Sequence, residues 1–425
     1  MRITCFPAKI KGKILPPFSK SDAIRVIACA LMSDLPVQIE NLPSCDDSVV
    51  ALCCAKALGA TYDGKIFTPP EKFPGKATLD CGESGACLRF FTCITAAIGG
   101  EFTLLAGKSL LSRPMNELIA VLESGGVTVK KILNGGWSVC GKLNGGIYEI
   151  DGKTSSQFVS GMLLALPLTK QKCVLRCRNL VSREYVNQTI AVMRKFSVNV
   201  ENSGAEPIEF KVDGRGYTPQ KPPVTLCRDW SGGAFFLVAG ALGGEITVCK
   251  LNENLPDSQI DEILSLCGCD TEKSRNDDGT VNMTVRKSEI KPFCYDFTDC
   301  PDLVPVCAVL AAAAKGESRL KNVARLKEKE SDRVVSATGL VRSLGAKAGF
   351  DGKDIVICGG NLVGGKVVTY DDHRIAMSAA IAAVACRKEV EIDNAACVKK
   401  SYSSFWRDYS SVGGVTKIEC CERER

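Results

Sequence analysis

The stretch "LPPFSKSDAIR" (Leu15–Arg25) opens a run that stays apolar as far as Met32. Two cations, Lys20 and Arg25, stand within its first turns. Packing gives no reason for a cation at the mouth of an apolar helix. An anionic ligand does, because a helix N-terminus presents free N–H groups and a partial positive charge. The same placement of polar or anion-friendly groups recurs in "GESGA", "TSSQ", "WSGG", "CPD" and "DDHR", each ahead of another apolar run. Helix capping by Ser, Thr or Asp explains any one of these alone. Six together, several with basic residues, point to a shared anion-binding field.

The elements that carry these groups are helices apolar almost all round: Ser21–Met32, Ser84–Ile98, Ser156–Leu166, Ser231–Leu242, Asp302–Ala314 and Asp372–Cys386. A helix without a polar face is buried on all sides. The starts lie roughly 60–75 residues apart, which marks a repeat. Amphipathic segments alternate with them at Cys45–Ala60, Arg113–Val129, Arg183–Val200, Pro256–Asp270 and Glu330–Ala346, with apolar residues at i, i+3 and i+4. Six units of buried helix, strand, amphipathic helix and strand account for the chain. Grouping three units around a centre hides the buried helices, which predicts an α/β fold of two lobes. The Pro-rich stretch Tyr217–Trp230 reads as the switch between them. Strand-like residues 1–17 precede the first unit, so the expected domains are 1–17 plus 227–425, closed by both termini, and an inserted 18–226, with the active site in the cleft between.

Composition narrows the function. The chain has 425 residues, 45% of them apolar and 24% charged, with net charge +6. That mild balance, with 6% aromatics and no basic aromatic strip, argues against nucleic acid and suits an enzyme of anionic small molecules. No 18-residue apolar run lacks charge, so no membrane span is expected. The N-terminus lacks the features of a signal peptide, which predicts a cytoplasmic protein. The 23 cysteines are scattered without C-x-x-C, and His373 is the one histidine. They read as reduced thiols, with no metal site and no structural disulfide.

Five stretches together resemble the 5-enolpyruvylshikimate-3-phosphate synthase (3-phosphoshikimate 1-carboxyvinyltransferase) family: "LPPFSKSDAIR", "CGESGACLRF" (Cys81–Phe90), "LLSRPMNEL" (Leu110–Leu118), "KEKESDR" (Lys327–Arg333) and "YDDHRIAM" (Tyr370–Met377). They stand in the family's order and the matches run through nearly the whole chain. The resemblance implies two lobes, each of three βαβαββ-type units around buried parallel helices, the enolpyruvyl transferase fold. It also implies a monomeric transferase of chorismate and aromatic amino acid biosynthesis. Such an enzyme moves the enolpyruvyl group of phosphoenolpyruvate onto the 5-hydroxyl of shikimate 3-phosphate and releases phosphate, without cofactor or metal.

By the same resemblance, shikimate 3-phosphate is held by Lys20, Ser21, Arg25, Ser155, Ser156, Gln157, Ser182, Asp302 and Lys329, with Tyr185 beside Ser182 and Arg325 as phosphate support. Phosphoenolpyruvate is held by Lys20, Gly85, Arg113, Gln157, Arg333, Arg374 and Lys400. Arginine forks suit the phosphate and carboxylate of both substrates. Two positions depart from the family pattern. Glu83 stands where Asn is usual and Ala86 where Thr or Ser is usual, and an acid there is unwelcome to an anionic substrate unless it points away.

The implied catalytic residues are Asp302, Lys20 and Glu330. Asp302 takes the proton of the 5-hydroxyl as that oxygen attacks C2 of phosphoenolpyruvate protonated at C3. Lys20 and Glu330 both remain open as the group that moves the C3 proton. Two other functions fit the repeat: a UDP-N-acetylglucosamine enolpyruvyl transferase and an RNA-end-processing protein. The first typically opens on Lys-Asn and uses a loop cysteine, whereas this chain has Lys20-Ser21 and no cysteine between Thr103 and Lys130. The second requires the aromatic basic strip that is absent here.

Overall fold

A computed structural model describes residues 1–133 and 135–419. Two compact units emerge: Phe18–Cys227, and Met1–Pro17 together with the chain from Arg228 on. Each has its own apolar core.

Within Phe18–Cys227 the repeat is explicit. Strands Lys76–Asp80, Gly100–Leu105, Gly136–Gly141 and Val127–Ile132 lie in that order in one sheet. The first pair is parallel and the others antiparallel. Helix Gly85–Ile98 joins the parallel strands, as a parallel connection requires, and helix Asn116–Ser124 follows the second strand. Strands Ile147–Asp151, Cys173–Arg178, Ile208–Val212 and Val200–Asn202 repeat the pattern, with helices Ser156–Ala165 and Arg183–Lys195. The remaining repeat, with helices Lys20–Leu31 and Asp46–Ala57, has three strands: Val37–Gln38, Ile66–Thr68 and Thr61–Tyr62. Its outer place is filled by a parallel bridge between Ile39 and Val224. The Pro-rich stretch is therefore no free tether. Its Tyr217 is buried and donates from its hydroxyl to Leu164 O at 2.7 Å.

The other unit uses the same plan with its ends rearranged. Ile10–Ile14 pairs parallel with Gly244–Leu251 and so supplies the first strand of the repeat carrying helix Trp230–Gly243. Arg2–Phe6 lies between Val390–Ile392 and Val415–Glu419 and completes the repeat carrying helix His373–Ala382. The middle repeat, Cys294–Asp296, Gly316–Lys321, Ile355–Gly359 and Lys347–Phe350, is continuous in sequence.

The helices expected to lack a polar face are buried as expected. All 14 residues of Trp230–Gly243 are buried. Glycine permits close approach where two such helices meet. A Cβ on Gly161 would stand 3.0 Å from both Arg89 O and Cys93 Sγ of the adjacent helix. Three details differ from the sequence reading. Asp302 lies in a 3₁₀ turn, Pro301–Leu303, ahead of helix Val304–Ala313. Asp372 caps helix His373–Ala382 from outside, and the following Ala383–Ala385 tightens into a 3₁₀ turn. A sixth amphipathic helix, Phe405–Ser411, was not anticipated, because its seven residues are too few for a periodic signal.

Candidate active site

In the unit Phe18–Cys227 the three buried helices begin close together. Ser19 caps the first, accepting from Asp22 N. Lys20, its first residue, pairs with Asp47 at 2.8 Å, both side chains largely covered. One turn deeper lies Arg25. Its Nε donates to Thr189 Oγ1 at 2.7 Å, Nη1 to Ser21 O at 2.7 Å and Nη2 to Tyr185 O at 3.0 Å. Its guanidinium carbon lies 5.2 Å from the Phe90 ring centre. All three acceptors are neutral, and no carboxylate lies within ion-pair distance among the described residues. Burial accordingly lowers the Arg25 pKa to about 10. The sequence question about cations at an apolar helix mouth has its structural counterpart here: a buried guanidinium held by backbone and hydroxyl oxygens.

The second and third helices meet at Gly85. A Cβ there would stand 3.2 Å from Arg113 Nη1, 3.4 Å from Arg89 Nη1 and 3.6 Å from Gln157 Oε1. Arg89 donates to Gln157 Oε1 at 2.6 Å and lies 5.1 Å from the Phe158 ring centre. Arg89 was missed in the sequence. It sits in "CGESGACLRF" one turn past Gly85, the position Arg25 holds relative to Ser21, and that shared offset was the available signal. Ser155 caps the third helix by accepting from Gln157 N, and Ser156 is buried. Ser182 caps helix Arg183–Lys195 with φ 52, an uncommon conformation for a non-glycine residue and one that concentrates at functional sites.

The other unit gathers a denser set. Asp302 Oδ1 accepts from Arg333 Nη1 at 2.7 Å and lies 3.5 Å from Lys329 Nζ; its Oδ2 accepts from Arg374 Nη2 at 2.8 Å. Arg333, fully buried, also donates to Asp372 at 2.8 Å and to Glu330 at 2.6 Å. Arg374 donates to Ser231 Oγ at 2.6 Å, and Ser231 donates to Asp257 at 2.6 Å. Thus Asp302, Ser231 and Arg374, from the starts of the three buried helices, converge. Burial opposes the charge of Asp302, but Arg374, Lys329 and Arg333 outweigh it and hold the carboxyl well below its usual range. Burial likewise opposes the Arg333 charge, and Asp372, Glu330 and Asp302 raise its pKa beyond the ordinary value. Lys329 is lowered, first by burial. Ser231 as the partner of Arg374, and Asp257 as the partner of Ser231, were not foreseen; both lie far from Arg374 in sequence. Lys400 ends the turn Ala395–Lys400 half-buried, while its neighbour Lys399 is exposed. Arg325 is turned to the Thr298 carbonyl.

Each unit thus brings arginines and lysines to the N-terminal ends of its buried helices, where anions bind. With six sheets among the described residues, five of four strands and one of three, each carrying its pair of helices, this is the enolpyruvyl transferase fold. EPSP synthase from Acinetobacter baumannii superposes with a TM-score of 0.79 at 22% identity, covering 99% of this chain and all of that one. The enolpyruvyl transferase NikO from Streptomyces tendae gives 0.77 at 18%, covering 98% of each. A model of the family EPSP synthase (3-phosphoshikimate 1-carboxyvinyltransferase) matches residues 6–409. The 3-phosphoshikimate 1-carboxyvinyltransferase of Clostridium perfringens is 34% identical, spanning 98% of this chain and all of the relative. That of Methanocorpusculum labreanum is 32% identical over 99% and 100%. The chain belongs to the EPSP synthase family.

Proposed function

We propose that the two clusters serve one reaction, the transfer of the enolpyruvyl group of phosphoenolpyruvate to the 5-hydroxyl of shikimate 3-phosphate with release of phosphate. The carrying observation is the double gathering of cations at buried helix starts, matched to two substrates that each bear a phosphate and a carboxylate. In this reading Ser21, Arg25, Ser155, Ser156 and Ser182 receive shikimate 3-phosphate. Gly85, Arg113, Arg333, Arg374 and Lys400 receive phosphoenolpyruvate. Lys20 and Gln157 touch both, and Lys329 holds the shikimate hydroxyls beside Asp302. Arg89, bonded to Gln157, is added here as its positioning partner. The enzyme works as a cytoplasmic monomer.

The Asp302 contacts suggest an order of events. Bound by three cations, Asp302 is a weak base. An incoming phosphoenolpyruvate competes for Arg333 and Arg374. Their shift toward substrate oxygens frees Asp302, raises its pKa and makes it a base only when the second substrate is present. Asp302 then takes the 5-hydroxyl proton as that oxygen bonds to C2, while C3 gains a proton from Lys20 or Glu330. The tetrahedral ketal phosphate loses a C3 proton, the double bond re-forms and the C2–O bond to phosphate breaks. Glu330, bonded to Arg333 at 2.6 Å, is placed to feel the same shift. Fixed charges in a water-poor site supply the electrostatic part of the acceleration.

The test is phosphate release from phosphoenolpyruvate, with shikimate 3-phosphate or UDP-N-acetylglucosamine offered separately. Release with the first alone is expected. Release with the second alone overturns the assignment of acceptor.

A further inference from the structure

The acid beside the Gly85 turn has a specific occupation. Glu83 Oε1 accepts from Ser109 N at 3.1 Å; Oε2 accepts from Ser109 Oγ at 2.8 Å and from Leu110 N at 2.9 Å. These donors open the turn Leu110–Ser112, whose next residue is Arg113. Arg113 N closes the turn on Leu110 O at 3.1 Å, and Arg113 Nη2 reaches back to Ser109 Oγ at 3.5 Å. The Ser109 hydroxyl proton points to the carboxylate, so its lone pair is left for the guanidinium. A chain of three groups therefore runs from carboxylate through hydroxyl to arginine, and the negative charge of Glu83 is directed into the turn instead of at the anion site.

We propose that Glu83 is a positioning residue for phosphoenolpyruvate, clamping the turn 109–112 so that Arg113 is held against Gly85. This rests on the reading of Arg113 as a phosphoenolpyruvate ligand. The clamp occupies the space over Gly107: a Cβ there would lie 2.6 Å from Glu83 Cδ. Adding one methyl at position 107 therefore displaces the carboxylate without removing its charge. The two positions must be coupled if the clamp is what matters.

The experiment compares Glu83→Ala, Gly107→Ala and the double variant with wild type. Each single variant is expected to raise the KM for phosphoenolpyruvate about 10-fold or more, since misplacing a ligand group by about an ångström is that costly. The KM for shikimate 3-phosphate should stay within about twofold. The double variant should be no worse than Glu83→Ala, because the methyl then has no carboxylate to displace. Amide hydrogen exchange at Ser109–Ser112 should speed up in Glu83→Ala, a readout independent of turnover. An unchanged phosphoenolpyruvate KM in both single variants, equal losses for both substrates, additive effects in the double variant, or unchanged exchange overturns the proposal. Wild-type protein without turnover on these substrates would instead refute the functional reading, with the exchange measurement still judging the clamp.

Discussion

Replacing Asp302 by Asn changes charge and almost nothing in volume. In the native structure three cations, Lys329, Arg333 and Arg374, face three carboxylates, Asp302, Glu330 and Asp372. The variant leaves that cluster one positive charge in excess. Its amide N–H₂ must also face a guanidinium donor, since Arg333 and Arg374 approach the two carboxylate oxygens separately at 2.7 and 2.8 Å. Removing one partner of a buried ion pair costs about 3–5 kcal/mol. Arg333 keeps Asp372 and Glu330, and Arg374 keeps Ser231, so the loss is expected near the lower figure, about 3 kcal/mol. Urea unfolding would show it as a lower midpoint at unchanged slope. Turnover loses its base, a drop of ~10²–10⁴-fold in kcat. The KM for phosphoenolpyruvate should not rise, because the released arginines attract the anion. Steady-state kinetics on a variant folded by circular dichroism reads both parameters. A kcat within about twofold of wild type would remove Asp302 as the base. A raised KM with kcat intact would show that it serves only to arrange the arginines.

Other outcomes follow from the same geometry. Because Asp302 has a folded-state pKa below its unfolded value, its stabilisation is complete above about pH 4 and fades as pH falls further. The stability gap between wild type and Asp302→Asn, measured by urea unfolding, should therefore narrow below that pH. Arg333→Met leaves Asp302, Glu330 and Asp372 without their common cation. It should cost at least about 3–5 kcal/mol by the same measurement, and a neutral result would refute the ion-pair account. Gly85→Ala places a Cβ 3.2 Å from Arg113 Nη1. Phosphoenolpyruvate affinity should fall with shikimate 3-phosphate affinity spared, as titration calorimetry would read. Arg25→Lys cannot reproduce three guanidinium hydrogen bonds. Shikimate 3-phosphate binding should weaken about 10-fold or more, the scale of one or two charge-assisted bonds.

Much of the fold was legible because the buried helices have no polar face. Trp230–Gly243 and Gly85–Ile98 could be drawn from composition alone, and their spacing exposed the repeat. Phe405–Ser411 escaped because two turns carry no period. The strand pairing of Arg2–Phe6 and Ile10–Ile14 into separate repeats was equally hidden, since β-pairing across hundreds of residues leaves no local trace. Among the candidate site residues, Lys20 and Arg25 stood out as cations at the mouth of an apolar helix, and Arg113 through the family resemblance alone. Arg89 did not, although it occupies the same helical offset in its repeat as Arg25.

By itself the sequence determined which helices had to be buried, where their polar starts fell and how many cations were available for anionic ligands. Those properties are local, set by the period of apolar residues and the chemistry of helix ends. Tertiary structure alone decided which cation met which partner. Arg25 came to rest on neutral oxygens of Tyr185 and Ser21, while Arg333 and Arg374 closed on Asp302. Charge and pKa follow distances of a few ångströms between residues far apart in the chain, and only folding fixes such distances.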